Sequence, residues 1–131
     1  MLALITGASS GIGREFAKIL AYRGFSLILV ARRLDRLEEL AADILECCDV
    51  DISLVDCDLA DEKNCYRLYK SIEHEKVDVL INNAGFGAYG EFLKTDLKAE
   101  TQMIDLNCKA LHILTKLFLK EMNCLLYTSD A

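Results

Sequence analysis

Residues 6–13 read Thr-Gly-Ala-Ser-Ser-Gly-Ile-Gly, three glycines and two serines within eight positions. Glycine lets a backbone come close to a bulky ligand, and the amides and dipole at the head of a helix favour negative charge. The chemistry on offer is the cradling of a phosphate, and a pyrophosphate is expected against Gly7, Ser9, Ser10, Gly11, Ile12 and Gly13. The plainer reading is a tight turn, since any tight turn recruits glycine. Nineteen residues beyond Gly13 stand Arg32 and Arg33, where a dinucleotide site needs a group that reads the adenosine ribose. An acid there would take the 2′-hydroxyl of NAD. Two guanidiniums, each a fixed fork of donors with a permanent charge, suit a 2′-phosphate, so NADP is expected over NAD. The competing reading is that the arginines merely open a solvated helix, which Asp35, Arg36, Glu38 and Glu39 continue.

These residues need a frame. Residues 2–5 form a short apolar run that ends in the glycine loop, and Phe16, Ile19 and Leu20 follow with helical spacing up to Gly24. Residues 25–31 are apolar except for Ser26, as in a strand buried on both faces, and Leu34, Leu37, Leu40, Ala41, Ile44 and Leu45 outline an amphipathic helix. Residues 52–55, the pattern Tyr66, Leu68, Tyr69 and Ile72, and residues 77–81 supply a third strand, a third helix and a fourth strand. The order βαβαβαβ implies an α/β fold with a doubly wound parallel sheet. After a loop holding Gly85, Gly87 and Gly90, a long helical stretch runs from about 97 to 122, with an interruption expected near Asp105. Its later part, from Leu111 to Leu119, is apolar enough to need a partner surface.

A chain of 131 residues, 53% hydrophobic and 27% charged, has the size and composition of one globular domain. The net charge of −6, with no basic run, argues against nucleic acid as a partner. The six cysteines form no CxxC pair and no Cys/His cluster at ligand spacing, so reduced thiols and no metal are expected. No leader-like segment precedes the first strand, and no apolar run reaches roughly 18 residues. A soluble, cytoplasmic protein without a membrane partner is the expectation.

Residues 6–13 match the TGxxxGxG pattern of the short-chain dehydrogenase/reductase family completely, and Asn82-Asn83-Ala84-Gly85 matches its NNAG motif. The chain resembles this family over nearly its whole length. The resemblance implies a Rossmann-type domain over residues 1–123, incomplete here, in which the doubly wound sheet is followed by a long helix. It also implies that Asn83, Ala84 and Gly85 line the cofactor ribose and steady the sheet. Asp58 and Leu59 would contact adenine, through the carboxylate and the following backbone amide. Asn107 would hold a water that relays protons to a catalytic lysine. Read from the residues alone, Asp58 is a turn former and Asn107 an exposed or capping asparagine.

The resemblance further implies a serine, a tyrosine and a lysine four positions after that tyrosine, all beyond Asn107. Only 24 residues follow it, and Tyr127 is followed four positions on by Ala131. Tyr66 and Lys70 have the spacing, but they fall on a helix that covers the sheet, away from the crevice at the strands' carboxyl ends. Residues 124–131 depart from the family pattern and read as a non-native tail without function. The expectation is the amino-terminal part of an NADP(H)-dependent oxidoreductase, itself inactive, whose homo-oligomeric parent acts on a small carbonyl or alcohol. A non-catalytic dinucleotide-binding module and an inert decayed gene are the alternatives. An open fourth-strand edge and a long helix without its cover lead to poor solubility or misassembly.

Overall fold

The computed structural model describes residues 1–129, with side chains through Met122. Four strands, β1 (Leu2–Thr6), β2 (Ser26–Ala31), β3 (Ile52–Asp56) and β4 (Val79–Ile81), form one parallel sheet in the order β3-β2-β1-β4. Between them run α1 (Gly11–Tyr22), α2 (Leu34–Leu45) and α3 (Glu62–Ile72). The chain steps outward from β1 to β3 and then returns to place β4 on the other side of β1. Strand order therefore reverses between β1 and β4, the place where open α/β sheets build their ligand crevice.

Alternation along the strands sends side chains to two cores. Ala3, Ile5, Leu27, Leu29 and Ala31 face Ala17 and Ala21 of α1 and Leu37, Leu40 and Ile44 of α2. Leu4, Ile28 and Val30 face Cys65, Leu68 and Ile72 of α3, together with Ala110, Leu114 and Phe118 of the long helical segment. Tyr69 meets Phe118 edge to face, with ring centroids 5.2 Å apart. The doubly wound sheet expected from the sequence is thus the observed one, with β4 at a sheet edge among the described residues.

Two helices turn inward faces that differ from the expected ones. On α1 the buried residues are Gly13, Ala17 and Ala21, while Phe16 and Ile19 are 40% and 50% exposed. Small residues four apart let this helix lie close to the sheet, and the larger apolar side chains are left on its outer side. On α3 the inward face is Cys65, Leu68 and Ile72, so Tyr66 is exposed.

The long helical stretch begins as α4 (Leu97–Ile104), passes through a π-helical segment (Asp105–Ala110) and continues as α5 (Leu111–Ser129). The interruption expected near Asp105 is this change of winding, the kind of one-turn π insertion that recurs at functional positions in helices. Lys109 reaches back to Asp105 at 3.6 Å and across to Glu62 of α3 at 3.5 Å. Ala110, Leu114 and Phe118 enter the core, whereas Leu111 and Leu119 face outward. The boundary expected at residue 123 falls inside α5, and the side chains of residues 124–131 lie outside the described part. No helix among the described residues is long and apolar enough to cross a membrane.

Candidate functional site

A cleft of about 200 Å³ opens at the carboxyl ends of all four strands. Gly7, Ser9 and Ser10 line it after β1, Val30, Ala31 and Arg32 at the end of β2, and Cys57, Asp58 and Leu59 after β3. Asn83, Ala84, Gly85 and Phe86 line it after β4, and Leu106 closes it from the π segment.

The glycine loop and the NNAG turn hold each other in shape. Thr6, 1% exposed, accepts hydrogen bonds through its hydroxyl from the backbone amides of Asn83 and Ala84, at 3.0 Å each. The Asn83 carboxamide donates to the Gly7 carbonyl at 3.1 Å. A Cβ on Gly7 would stand 2.8 Å from the Ala84 Cα, and one on Gly13 would drive into the Gly7 carbonyl oxygen and the Asn83 carboxamide. These two glycines are therefore required by the packing of the protein against itself. Gly11 differs: its φ is +57°, and a Cβ there would meet no atom within 4 Å. Its bareness leaves open the space in front of α1.

Ser10 gives α1 no side-chain cap, and its first turn holds no acid. By contrast α3 is capped by Asp61 and α4 by Asp96. α2 also lacks a side-chain cap, at Arg33, but carries Asp35 in its first turn. The head of α1 thus has neither a side-chain cap nor an acid in its first turn, and its dipole favours negative charge there. Arg14, the nearest cation on α1, is committed to Asp43 of α2 at 3.0 Å. Ile12 is 69% exposed on the helix beyond the lining of the cleft.

The arginine pair is split. Arg33 forks onto Asp35, Nε to Oδ1 at 3.3 Å and Nη2 to Oδ2 at 3.0 Å, and holds that carboxyl below its ordinary range. It lies outside the lining of the cleft. Arg32 lines the cleft and has no ion pair among the described residues. The helix-opening reading fits Arg33, and of the two arginines only Arg32 lines the cleft. Asp58 lines the cleft and accepts at Oδ1 from the Ala60 amide at 3.1 Å, a turn of the expected plainer kind, while its Oδ2 makes no hydrogen bond among the described residues. Leu59 is buried against α3, 4% exposed, and backs the floor.

Asn107 sits in the middle of the π segment, outside the lining. Its Nδ2 donates to the Phe86 carbonyl at 2.7 Å, and its Oδ1 accepts from the Phe86 amide at 3.0 Å. A Cβ on Gly85 would stand 2.7 Å from the same Oδ1. Asn82 donates to the Thr115 hydroxyl of α5 at 2.9 Å, a second tie between the end of β4 and the long helix.

Sequence reasoning placed Thr6 in the loop of residues 6–13 without a role for its hydroxyl, and assigned none to Cys57, Phe86 or Leu106. Thr6 was legible in principle, as the hydroxyl residue directly before the glycine loop. Cys57 carries a thiol raised by burial and by Asp58, Asp56 and Asp61, and it donates to the Asn64 carbonyl at 3.7 Å. A neutral thiol so placed is a wall, since the thiolate is the nucleophilic form. Tyr66 and Lys70 lie on exposed positions of α3 and do not reach the cleft. No group of three metal-ligating side chains occurs among the described residues. The cleft therefore brings together the head of α1, a cation one strand away and the apolar side chains of Val30, Ala31, Phe86 and Leu106, and among the described residues that line it there is no pair of groups suited to proton transfer.

The fold recurs in known proteins. The very-long-chain 3-oxoacyl-CoA reductase of Candida albicans is 39% identical over 112 residues, which cover 82% of this chain and 32% of that protein. A bulky-bulky ketone specific alcohol dehydrogenase from Comamonas testosteroni superposes with a TM-score of 0.86 at 35% identity, covering 92% of this chain and 48% of that one. A short-chain dehydrogenase from Sphingobium yanoikuyae, solved in complex with NADPH, gives 0.84 at 36% identity, covering 89% and 46%. The chain thus spans about a third to a half of the length of these relatives. A family model described as short chain dehydrogenase matches residues 1–126, which take in both the glycine loop and the NNAG turn that interlock at the cleft. On that match, and on the shared fold, this chain belongs to the short-chain dehydrogenase family.

Proposed function

We propose that the chain is the dinucleotide-binding part of an NADP(H)-dependent oxidoreductase, which moves a hydride between nicotinamide C4 and the carbon of a small carbonyl or alcohol. The observation that carries the reading is the pairing, in one cleft, of an uncapped helix head fronted by bare Gly11 with the unpaired guanidinium of Arg32. The NADPH bound by the Sphingobium relative supports the choice of cofactor.

When bound, the nicotinamide gives or takes the hydride. The chain's own residues bind and orient. The amides at the head of α1, with Ser9 and Ser10, hold the pyrophosphate. Arg32 holds the 2′-phosphate. The free oxygen of Asp58 accepts from the adenine amino group, and the Leu59 amide meets the ring. Asn83, Ala84 and Gly85 support the ribose, and Asn107 positions the strand of chain at Phe86. The proton-moving tyrosine and lysine lie, in this reading, in a part of the full-length protein that this chain does not span. A cytoplasmic, homo-oligomeric parent is part of the same proposal.

The test is a titration of the 131-residue chain with NADPH and NADH, followed by nucleotide fluorescence. NADPH binds more tightly, and Arg32→Asp removes an advantage of roughly tenfold or more. Arg33→Ala, which only frees Asp35, leaves it in place. Equal affinities of the unaltered chain for the two nucleotides would sink the NADP assignment.

A further inference from the structure

Beside the cleft lies a second hollow of about 190 Å³, lined by Arg32, Asp58, Ala60, Phe86, Gln102 and Leu106. Four of these residues, Arg32, Asp58, Phe86 and Leu106, line both hollows, so the two adjoin across shared walls. Only Ala60 and Gln102 are new, and only Gln102 brings a polar side chain. It stands on α4 four residues before Leu106, on the same side of the helical stretch, and its carboxamide makes no hydrogen bond among the described residues. The rest of the hollow has the form of a base slot: an aromatic ring, the aliphatic side chains of Leu106 and Ala60, and a carboxylate with one oxygen free.

We propose that Gln102 is a base-reading residue, which selects adenine at the nucleotide end of the cleft. The proposal rests on the dinucleotide reading above and adds a determinant to it. A carboxamide sets a donor beside an acceptor, and adenine answers with N7 as acceptor and the 6-amino group as donor, so the two can pair through both atoms. Hypoxanthine keeps N7 and replaces the amino group with a carbonyl, which sets two acceptors against each other. The division of labour is then spatial. Arg32 reads the ribose phosphate from the β2 side, Asp58 reads the amino group from the β3 side, and Gln102 closes over the base from α4.

The experiment compares NADPH, NADH and the hypoxanthine analogue of NADPH on the unaltered 131-residue chain, on Gln102→Ala and on Gln102→Glu. Gln102 is an exposed position on α4, so both variants keep the fold. The unaltered chain prefers adenine to hypoxanthine, and Gln102→Ala lowers that ratio roughly tenfold, the discrimination expected of one good bidentate pair. Gln102→Glu, which can accept but not donate, lowers it less. The NADPH-to-NADH ratio set by Arg32 stays the same in Gln102→Ala. If Gln102→Ala instead lowers the NADPH-to-NADH ratio and leaves the base preference unchanged, the side chain reads phosphate and the inference fails. No change in either ratio overturns it as well, with the dinucleotide reading intact. If the unaltered chain binds none of the three, both readings fall together.

Discussion

Asn107 pairs with the backbone of Phe86 as one strand pairs with another, giving a hydrogen bond of 2.7 Å and receiving one of 3.0 Å. Both ends of the carboxamide are used on a single residue, 21 positions away in sequence. This clamp joins the π segment to the chain just past the NNAG turn. It makes Asn107 a positioning residue, whatever else its backbone does.

Removing the clamp should free that chain without unfolding the domain. Asn107→Ala leaves the Phe86 amide and carbonyl to water, at a cost of about 1 kcal/mol for a partly exposed pair. Amide hydrogen exchange at Phe86 and the residues after it should quicken, while the amides of β1 and β2 keep their protection. Asn107→Asp, which can accept but not donate, should fall between the two. Unchanged exchange at Phe86 in Asn107→Ala would show that the clamp holds nothing.

Gly13 and Gly11 of the loop should fail in different ways. Gly13→Ala forces a methyl group into the Gly7 carbonyl and Asn83, and overpacking of this kind should cost about 3 kcal/mol. Gly11→Ala meets no neighbour and bears only the strain of a left-handed backbone, roughly 1–2 kcal/mol. Thermal denaturation should therefore rank Gly13→Ala well below Gly11→Ala. Gly11→Ala should still fold and lose NADPH affinity, which a fluorescence titration reads directly.

Alkali should loosen the α3 side of the core through Cys65. This thiol is fully buried, and burial pushes its pKa up to about 11. Because the folded value is raised, the neutral thiol contributes its stability in full below the unfolded value near 9. That contribution is lost as pH rises towards 11, by about 2 kcal/mol at the upper end. Cys65→Ala should flatten the dependence between pH 8.5 and 11 (roughly, from the same relation) while lowering stability at neutral pH. Denaturant midpoints that fall equally in the two proteins would assign the loss to other groups.

The outer surface should promote self-association. Ile12, Phe16 and Ile19 line one side of α1, Leu111 and Leu119 protrude from the long helical stretch, and β4 ends the sheet with unpaired backbone groups. Sedimentation of the 131-residue chain should show a mass that grows with concentration, and heating should give a broad transition. A monomer that unfolds sharply would refute this.

Much of the fold could be read from the sequence, because the signals were periodic. The β2 run, the glycine loop and the heptad-like spacing of Leu37, Leu40 and Ile44 each point to one structure, and the sheet follows from their order. What could not be read depends on how closely two segments approach. Hydrophobic spacing singled out Phe16 and Ile19, yet a helix that starts at a glycine loop and lies tight on the sheet has room inward only for Gly13, Ala17 and Ala21. Arg32 and Arg33 are equivalent as neighbours in sequence. The turn into α2 separates them, because Arg33 at the helix head finds Asp35 two residues on. Asn107 and Phe86 gave no mutual signal, since a side chain that binds a backbone leaves no trace in the identity of its partner.

The mould that shapes residues 6–13 is supplied by Asn83 and Ala84, more than seventy positions later in sequence. A nascent chain leaving the ribosome therefore presents its first loop long before anything can set it. Contacts of such separation close slowly, because the chain between them must first be ordered. A polypeptide arrested before Asn83 would hold all four strands and the three helices between them yet lack a finished receptacle, so the first residues synthesised are among the last to become competent.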